Sequence, residues 1–96
     1  MPEETRRQRI ARELRAGPVT LTDLSHLLRA PVKSVRDDLE HVIRGLHGKA
    51  RLVVREAECR SCGFSFRGRT RVERPSRCPR CRSEKIEEAA FSVAEI

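Results

Sequence analysis

The sequence predicts an α+β fold in which three helices are followed by a small unit of short antiparallel strands. Apolar residues recur at helical spacing through the first half, the second half has alternating segments, and four cysteines occur there as two close pairs. Of the 96 residues 38% are hydrophobic, and none is Trp or Tyr. A chain this short therefore has little apolar surface to bury when it folds.

The first helix is expected over residues 3–16. Ile10 and Leu14 lie one turn apart, so both point to one inner face. Gly17 and Pro18 follow directly, and this pair is typical of a helix end. We therefore predict that a turn separates this helix from the next one.

The second helix is expected to begin after Thr20. Asp23 follows Thr20 by three residues, which resembles a helix N-terminal cap. Apolar residues then repeat at helical spacing at Leu21, Leu24, Leu27 and Leu28. These features predict a short helix that ends before Pro31, because proline restricts the residue that precedes it.

The third helix is expected to begin at Pro31, which suits the first helical position. Its outward face places Lys33 four residues before Asp37 and Glu40 four before Arg44, so that this face is nearly neutral. Its apolar face consists of Val32, Val35, Leu39, Val42, Ile43 and Leu46. Two helices joined by a short turn after a preceding helix are typical of a helix-turn-helix, which we predict for residues 1–50. A plain three-helix bundle would show the same pattern.

Residues 51–55 and 90–95 alternate and contain β-branched side chains, so both segments are predicted strands. We expect them to pair with each other. They would then form the wing of a winged helix-turn-helix, with the intervening residues inserted between the two wing strands. Contacts between Val54 and Phe91 or Val93 test this hypothesis.

Two C-x-x-C pairs, Cys59 with Cys62 and Cys78 with Cys81, have the spacing of a four-cysteine zinc site. Four cysteine ligands leave no position open for water, so we expect one structural zinc ion per chain within a ribbon spanning residues 51–96. A rubredoxin-like iron site is the competing interpretation. Arg82 follows the second pair where a glycine follows the first, and this favours zinc.

The segment between the two cysteine pairs alternates as a strand does. Phe64, Phe66 and Val72 are expected on one face, and the two phenylalanines are interpreted as ribbon core. The other face carries Arg67, Arg69 and Arg71, which are candidates for contacts with phosphates or with a protein partner. A solvated basic face is the alternative interpretation.

The formal charge of +7 and the isoelectric point near 10.2 favour a polyanionic partner, since Lys and Arg release counterions when they neutralise phosphates. We expect double-stranded DNA as this partner. The candidate DNA-binding residues are Lys33, Ser34, Arg36, Arg44, Lys49 and Arg51, and Arg9 and Arg12 are further candidates for phosphate contacts. A basic surface that contacts only solvent is the alternative.

Three function and location classes are not expected for this sequence. It has no nucleophile–base arrangement and no phosphate-binding glycine loop, so we do not expect an enzyme. No apolar run approaches membrane-spanning length, and the start lacks the features of a secretory signal. We therefore expect a cytoplasmic protein without a membrane partner, in which cysteines remain reduced.

The sequence resembles a family of predicted prokaryotic transcriptional regulators in which a helix-turn-helix domain is fused to a C-terminal zinc ribbon. The motifs that carry the resemblance lie at residues 7–20, 35–41, 59–64 and 75–81. It implies a DNA-binding regulator with the four cysteines as zinc ligands. A zinc-ribbon module that binds RNA polymerase, the ribosome or RNA is the main alternative, and a rubredoxin-like iron electron carrier is a weaker one. The regulated genes and the oligomeric state are not implied.

Overall fold

The computed structural model describes residues 4–67 and 72–95. It has three helices followed by a small antiparallel ribbon, which is the predicted α+β order. The elements are α1 (Arg6–Ala16), β1 (Val19–Thr20), α2 (Leu21–Leu28), α3 (Val32–Gly45), β2 (Ala50–Arg55), β3 (Glu58–Cys59), β4 (Ile86–Glu87) and β5 (Ala90–Glu95). None of the helices described has both the length and the apolar character needed to cross a bilayer.

Helix α1 begins at Arg6, later than the predicted start at residue 3, which lies outside the described residues. Thr5 sets this start by capping the helix. Its hydroxyl accepts a hydrogen bond from the backbone N–H of Gln8 (3.1 Å), and the Gln8 side chain accepts one from the N–H of Thr5 (2.9 Å). This reciprocal pair satisfies two backbone donors that a bare helix end leaves open.

Helix α2 has the predicted cap. The Thr20 hydroxyl accepts from the N–H of Asp23 at 3.0 Å, and the Asp23 carboxylate accepts from the N–H of Thr20 at 3.1 Å. Arg29 ends the helix in the left-handed region, with φ of 51°. The turn into α3 is closed by the Ser25 hydroxyl, which donates to the carbonyl of Ala30 at 2.6 Å.

Helix α3 begins at Val32, with Pro31 as its cap residue rather than its first helical residue. The prediction that Val32 belongs to the apolar core is wrong, since this residue is 48% exposed. Side chains of a helix point towards its N-terminus, so a first-turn side chain projects past the end of the helix. The buried stripe therefore starts one turn later, at Val35.

The main core lies between the three helices and one face of a sheet. Its buried residues are Ile10, Leu14, Leu21, Leu24, Val35, Leu39, Val42, Leu46, Ala50, Val72 and Phe91. Val72 comes from the ribbon segment, so the ribbon packs into the same core as the helices. The two halves of the chain are therefore joined by buried apolar contact.

A three-stranded sheet has the order β1-β5-β2, with β5 in the centre and antiparallel to both neighbours. Phe91 lies opposite Val54 on one side and opposite Val19 on the other, and Val93 lies opposite Leu52. The predicted pairing of the two long strands is thus confirmed. The two-residue strand β1 was not predicted, because it is too short to show alternation.

The ribbon, residues 56–89, is inserted between β2 and β5. Its strands β3 and β4 are antiparallel to each other, and Cys59 of β3 lies opposite Ile86 of β4. The rings of Phe64 and Phe66 pack edge to face on each other, with their centroids 5.1 Å apart. Both pack against a small separate cluster of Ala57, Cys59, Cys78 and Ile86. The phenylalanines are therefore placed in the ribbon core, as interpreted.

The predicted strand between the cysteine pairs is wrong for its described part. That part has only a single bridge between Ser65 and Glu58, and residues 68–71 lie outside the described ranges. Val72 is buried in the main core, whereas Phe64 and Phe66 pack on the ribbon cluster, although Val72 and Phe66 line one apolar cleft between the two. The helical core offers Val72 a larger apolar environment than the small ribbon cluster does.

Candidate metal centre and nucleic-acid interface

Sulfur atoms of the four cysteines converge on one point at the end of the ribbon. The Sγ atoms of Cys59, Cys62, Cys78 and Cys81 all lie within 4.8 Å of one another. Two of the separations are 3.5 Å (Cys59–Cys81) and 3.6 Å (Cys62–Cys78). Both are far longer than a disulfide bond of about 2.05 Å. They are close to the roughly 3.8 Å between sulfurs in a tetrahedron with Zn–S bonds of about 2.3 Å.

Each C-x-x-C pair is held in the same tight turn. The N–H of Gly63 donates to the carbonyl of Cys59 at 2.8 Å, and the N–H of Arg82 donates to the carbonyl of Cys78 at 2.8 Å. Gly63 has φ of 78° and Arg82 has φ of 63°, so both lie in the left-handed region. The second turn forms without a glycine, and residue 82 therefore does not distinguish zinc from iron.

The two turns are joined by backbone and side-chain hydrogen bonds. The N–H of Arg60 donates to the carbonyl of Lys85 at 2.9 Å, and the hydroxyls of Ser61 and Ser83 lie 2.8 Å apart. These hydrogen bonds hold the two turns side by side. Each turn contributes two of the four sulfurs. The arrangement brings four donors together without help from residues outside the ribbon.

The four thiols cannot all ionise beside one another without a cation. Burial opposes ionisation of Cys59, but the N–H groups of Cys62 and Ser61 and the neighbouring thiols outweigh it and lower its pKa to about 7. The N–H of Ser83 favours the Cys81 thiolate, yet burial and the other three sulfurs raise the pKa of Cys81 to about 12. A divalent cation removes this repulsion by binding all four thiolates.

The donor set fits a structural zinc ion. Cys59 and Cys78 are buried and Cys62 and Cys81 are exposed, so the ion would lie at the ribbon surface with one side covered. Four sulfur ligands complete a tetrahedron and leave no coordination position for water. The four cysteines predicted as ligands are thus brought together on a single site.

Asp38 is a buried charge that the sequence reasoning missed. Its carboxylate accepts from Nε of Arg7 at 2.9 Å and also from Nε of Arg6, so it joins α3 to α1. Burial alone would raise the pKa of Asp38, but the hydrogen bonds and charges of Arg7 and Arg6 lower it. A charged residue next to the apolar positions Val35 and Leu39 was the available sequence signal.

Candidate DNA-binding residues lie on or after α3. Lys33, Arg44, Lys49 and Arg51 are exposed, whereas Ser34 and Arg36 are partly covered. The expected ion pairs of Lys33 with Asp37 and of Glu40 with Arg44 are absent from the described residues. Asp37 instead pairs with Arg36, its neighbour, at 3.2 Å. Side chains one residue apart meet here because Arg is long enough to fold back along the helix.

Arginines predicted on the ribbon strand are placed only in part. Arg67 is highly exposed and its Nε lies 3.9 Å from Glu56, while Arg69 and Arg71 fall outside the described residues. A different group of ribbon cations is exposed and takes part in no ion pair within residues 4–67 and 72–95: Arg60, Arg74, Arg77, Arg80, Arg82 and Lys85. The sequence shows that these cations are dense around the cysteines, but it does not show which of them form ion pairs.

Comparisons with known proteins match both halves of the chain. A family model described as PF0610-like, N-terminal, matches residues 5–54, and one described as the PF0610 rubredoxin-like zinc beta-ribbon domain matches residues 56–95. The chain is also similar to the solution NMR structure of protein PF0610 from Pyrococcus furiosus. The two are 31% identical, with a TM-score of 0.78 over 100% of this chain and 94% of that one. Among curated proteins none matches.

Proposed function

Since this chain belongs to the PF0610-like family, in which an N-terminal domain precedes a zinc β-ribbon, we propose that it is a DNA-binding regulator of transcription with one structural zinc ion. The observation that carries the proposal is the combination of α2 and α3 with the sheet β1-β5-β2. A fold alone does not define an activity, so the positions of the charged residues on this arrangement matter as well.

The order of elements supports a winged helix-turn-helix. Helices α2 and α3 are joined by the short turn at residues 29–31 and pack on each other, and α1 completes their core. The antiparallel pair β2 and β5 follows α3 and would be the wing. In such domains the second helix of the pair enters the major groove. Here that helix is α3.

The residues of α3 have separable roles under this proposal. Lys33, Ser34 and Arg36 lie in its N-terminal half, where side chains of a recognition helix reach base edges. Arg44 and the cations that follow the helix, Lys49 and Arg51, would contact phosphates. An arginine that contacts guanine through two hydrogen bonds contributes about 1–3 kcal/mol of discrimination. Arg36 is our candidate for such a contact.

The zinc ion has a structural role in this proposal. The ribbon cluster contains few large apolar side chains, so metal binding contributes much of the free energy that keeps residues 56–89 folded. With four thiolate ligands the ion has no position for a substrate, and we propose no enzymatic activity. Thiolate ligands and a DNA partner both fit a reducing cytoplasm.

Selection from random DNA with the zinc-loaded chain tests the proposal. We expect one enriched motif and an affinity that falls steeply with salt. Arg36→Gln should relax the preference at one base pair, whereas Lys49→Gln should weaken all sequences alike. Recovery of no motif, together with affinity that is independent of salt, would reject DNA binding.

A zinc-ribbon module for RNA polymerase, the ribosome or RNA is the second candidate. It is favoured by the near-neutral outward face of α3 and by the ribbon cations that have no ion pair among the described residues. In that case the chain should copurify with a large assembly and show no DNA sequence preference.

Metal analysis separates both candidates from an iron electron carrier, because an iron site would be coloured and would undergo reversible one-electron reduction.

A further inference from the structure

We infer that the ribbon and the helical half form one continuous surface for the DNA phosphate backbone, in which Arg60, Arg74 and Lys85 are the ribbon contacts. This inference rests on the proposed DNA-binding function. We call this surface the junction track, and it also includes Thr22 and Lys33. It differs from the strand arginines predicted from the sequence, since it lies on the edge of the ribbon that faces α2 and α3.

Two clefts that share residues define the junction track. One cleft, of about 690 Å³, lies between Thr22 of α2 and the ribbon residues Arg60, Arg74 and Lys85. The other, of about 440 Å³, brings Thr22 and Arg74 together with Lys33 and Arg36 of α3. Because Thr22 and Arg74 line both clefts, the surface runs without interruption from the start of α3 to the first cysteine turn.

Two neighbouring backbone carbonyls, at the start of strand β4, bring the ribbon cations of the track together. The N–H of Arg60 donates to the carbonyl of Lys85 at 2.9 Å, which puts these residues side by side. Nη1 of Arg74 donates to the carbonyl of Ile86, the next residue, at 3.5 Å. All three charged side chains therefore lie along one short stretch of the ribbon edge, and all three are exposed.

The acidic residues in the clefts leave an excess of positive charge. The Asp23 carboxylate caps α2, Glu87 lies 3.9 Å from Arg55, and Glu73 lies 3.4 Å from Arg36. Among the described residues, two lining acids have no ion pair, namely Asp23 and Glu88, and Glu88 lines both clefts. Lys33, Arg60, Arg74 and Lys85 have no ion pair within the same ranges. The unpaired charge of the track is thus predominantly positive.

Charge complementarity favours a DNA backbone as the partner of this track. B-DNA carries one negative charge per roughly 1.7 Å of helix axis, so a surface that spans two clefts meets several phosphates. Backbone contacts fix the register of a recognition helix without reading sequence. Lys33 lies at one end of the track, where Arg36 lines the same cleft, so phosphate contacts at Arg60, Arg74 and Lys85 would set how α3 enters the groove.

The experiment compares two triple variants of the full, zinc-loaded chain. The track variant carries Arg60→Gln, Arg74→Gln and Lys85→Gln. The control variant carries Arg77→Gln, Arg80→Gln and Arg82→Gln, which remove the same charge from the same ribbon but line neither cleft. Zinc content and thermal midpoint establish that both variants are folded. Binding to a selected duplex is then measured over a range of salt concentrations.

We expect the track variant to reduce the slope of log K against log salt by about 0.9 for each phosphate that is no longer neutralised. The control variant should keep the wild-type slope. Equal slopes for the two variants would overturn the junction track while leaving DNA binding intact. Absence of DNA binding by the wild-type chain would reject the proposed function itself, so the two failures are distinguishable.

Discussion

Nη1 of Arg36 lies 3.4 Å from Oε1 of Glu73, so that the candidate recognition helix and the ribbon share an ion pair. The Nε and Nη2 atoms of the same guanidinium both face Asp37 at 3.2 Å. The hydrogen bond with Asp37 raises the pKa of Arg36, against a smaller effect of burial, and Glu73 raises it further. Arginine contacts guanine through the same guanidinium N–H groups. Under the proposed function, DNA reading by Arg36 would therefore compete with two carboxylates of the protein itself, Asp37 and Glu73.

Replacing Glu73 should strengthen DNA binding. In Glu73→Gln the competing charge and its repulsion of phosphates are removed, and the ion pair that is given up is a weak one because solvent screens it. We expect the affinity for a selected duplex to rise by up to about 5-fold, measured by fluorescence anisotropy at fixed salt. Glu84→Gln is the matched control, since Glu84 is an exposed ribbon acid that lines neither cleft of the junction track. Weaker binding by Glu73→Gln would show that Glu73 orients Arg36 for contact instead.

Asp38 should contribute to stability through its two arginines. Asp38→Asn removes the buried negative charge and replaces one of its two acceptor oxygens by an NH2 group, but Arg6 and Arg7 are about half exposed and can be hydrated instead. We therefore expect the free energy of unfolding to fall by about 1–2 kcal/mol in urea denaturation. Asp37→Asn, at a largely exposed carboxylate, should change it much less. Equal losses in both variants would contradict a specific role for the buried position.

The same carboxylate predicts how stability depends on pH. The folded-state pKa of Asp38 is lowered from the ordinary value of 3.8, so its contribution is fully present above pH 3.8 and is lost as pH falls through the folded value. The stability difference between wild type and Asp38→Asn should thus be constant near neutral pH and shrink in acid. A difference that grew in acid would contradict the assignment. Comparing the two proteins at each pH cancels the effect of acid on zinc binding.

Loss of a buried zinc ligand should unfold the ribbon before the helices. Cys78→Ser removes a fully buried sulfur, so we expect less than one zinc per chain and loss of dispersed amide signals from residues 56–67 in NMR spectra. Helical signals of α1 to α3 should persist at low temperature, because the main core is built largely from other residues. Chelation of the wild type followed by zinc addition gives the reversible control. A ribbon that kept its spectrum without metal would contradict a structural role for zinc.

Residue 82 offers a prediction of increased stability. Arg82 holds a left-handed backbone that costs an L-residue about 1–2 kcal/mol, and glycine adopts it freely. Allowing for the greater freedom of glycine in the unfolded chain, Arg82→Gly should stabilise the protein by up to about 1 kcal/mol. Arg80→Gly, in the same turn but without positive φ, should destabilise it by about 0.5–1 kcal/mol. Thermal unfolding at constant free zinc measures both, and a loss of stability in Arg82→Gly would contradict the prediction.

Local signals in the sequence were sufficient for the helices, the two long strands and the metal ligands. The cap at Thr20, the apolar stripe from Val35 and the cysteine spacing each depend on residues close together in the chain. The start of α1 was missed although Thr5 and Gln8 carry the same kind of signal as Thr20 and Asp23. The acidic residues that precede Thr5 suit a first helical turn equally well, so they obscure this cap.

Features that depend on packing between distant segments could not be predicted. Burial of Val72 in the helical core and the ion pair of Glu73 with Arg36 both require knowing that the ribbon lies against α3. The same holds for Asp38, whose partners are more than thirty positions away in the sequence. Exposed and paired cations also look alike in a sequence, which therefore does not single out the ribbon cations of the junction track.

The middle strand of the main sheet is made last. Strand β5 lies between β1 and β2, yet the whole ribbon separates it from β2 along the chain. During synthesis the helical half must therefore wait, with the position of Phe91 unfilled, until the ribbon has been translated. A metal ion that draws the cysteine turns together shortens the loop that β5 has to close and reduces the entropy lost in closing it. Zinc binding would then favour completion of the three-stranded sheet, although the four cysteines all lie in the ribbon.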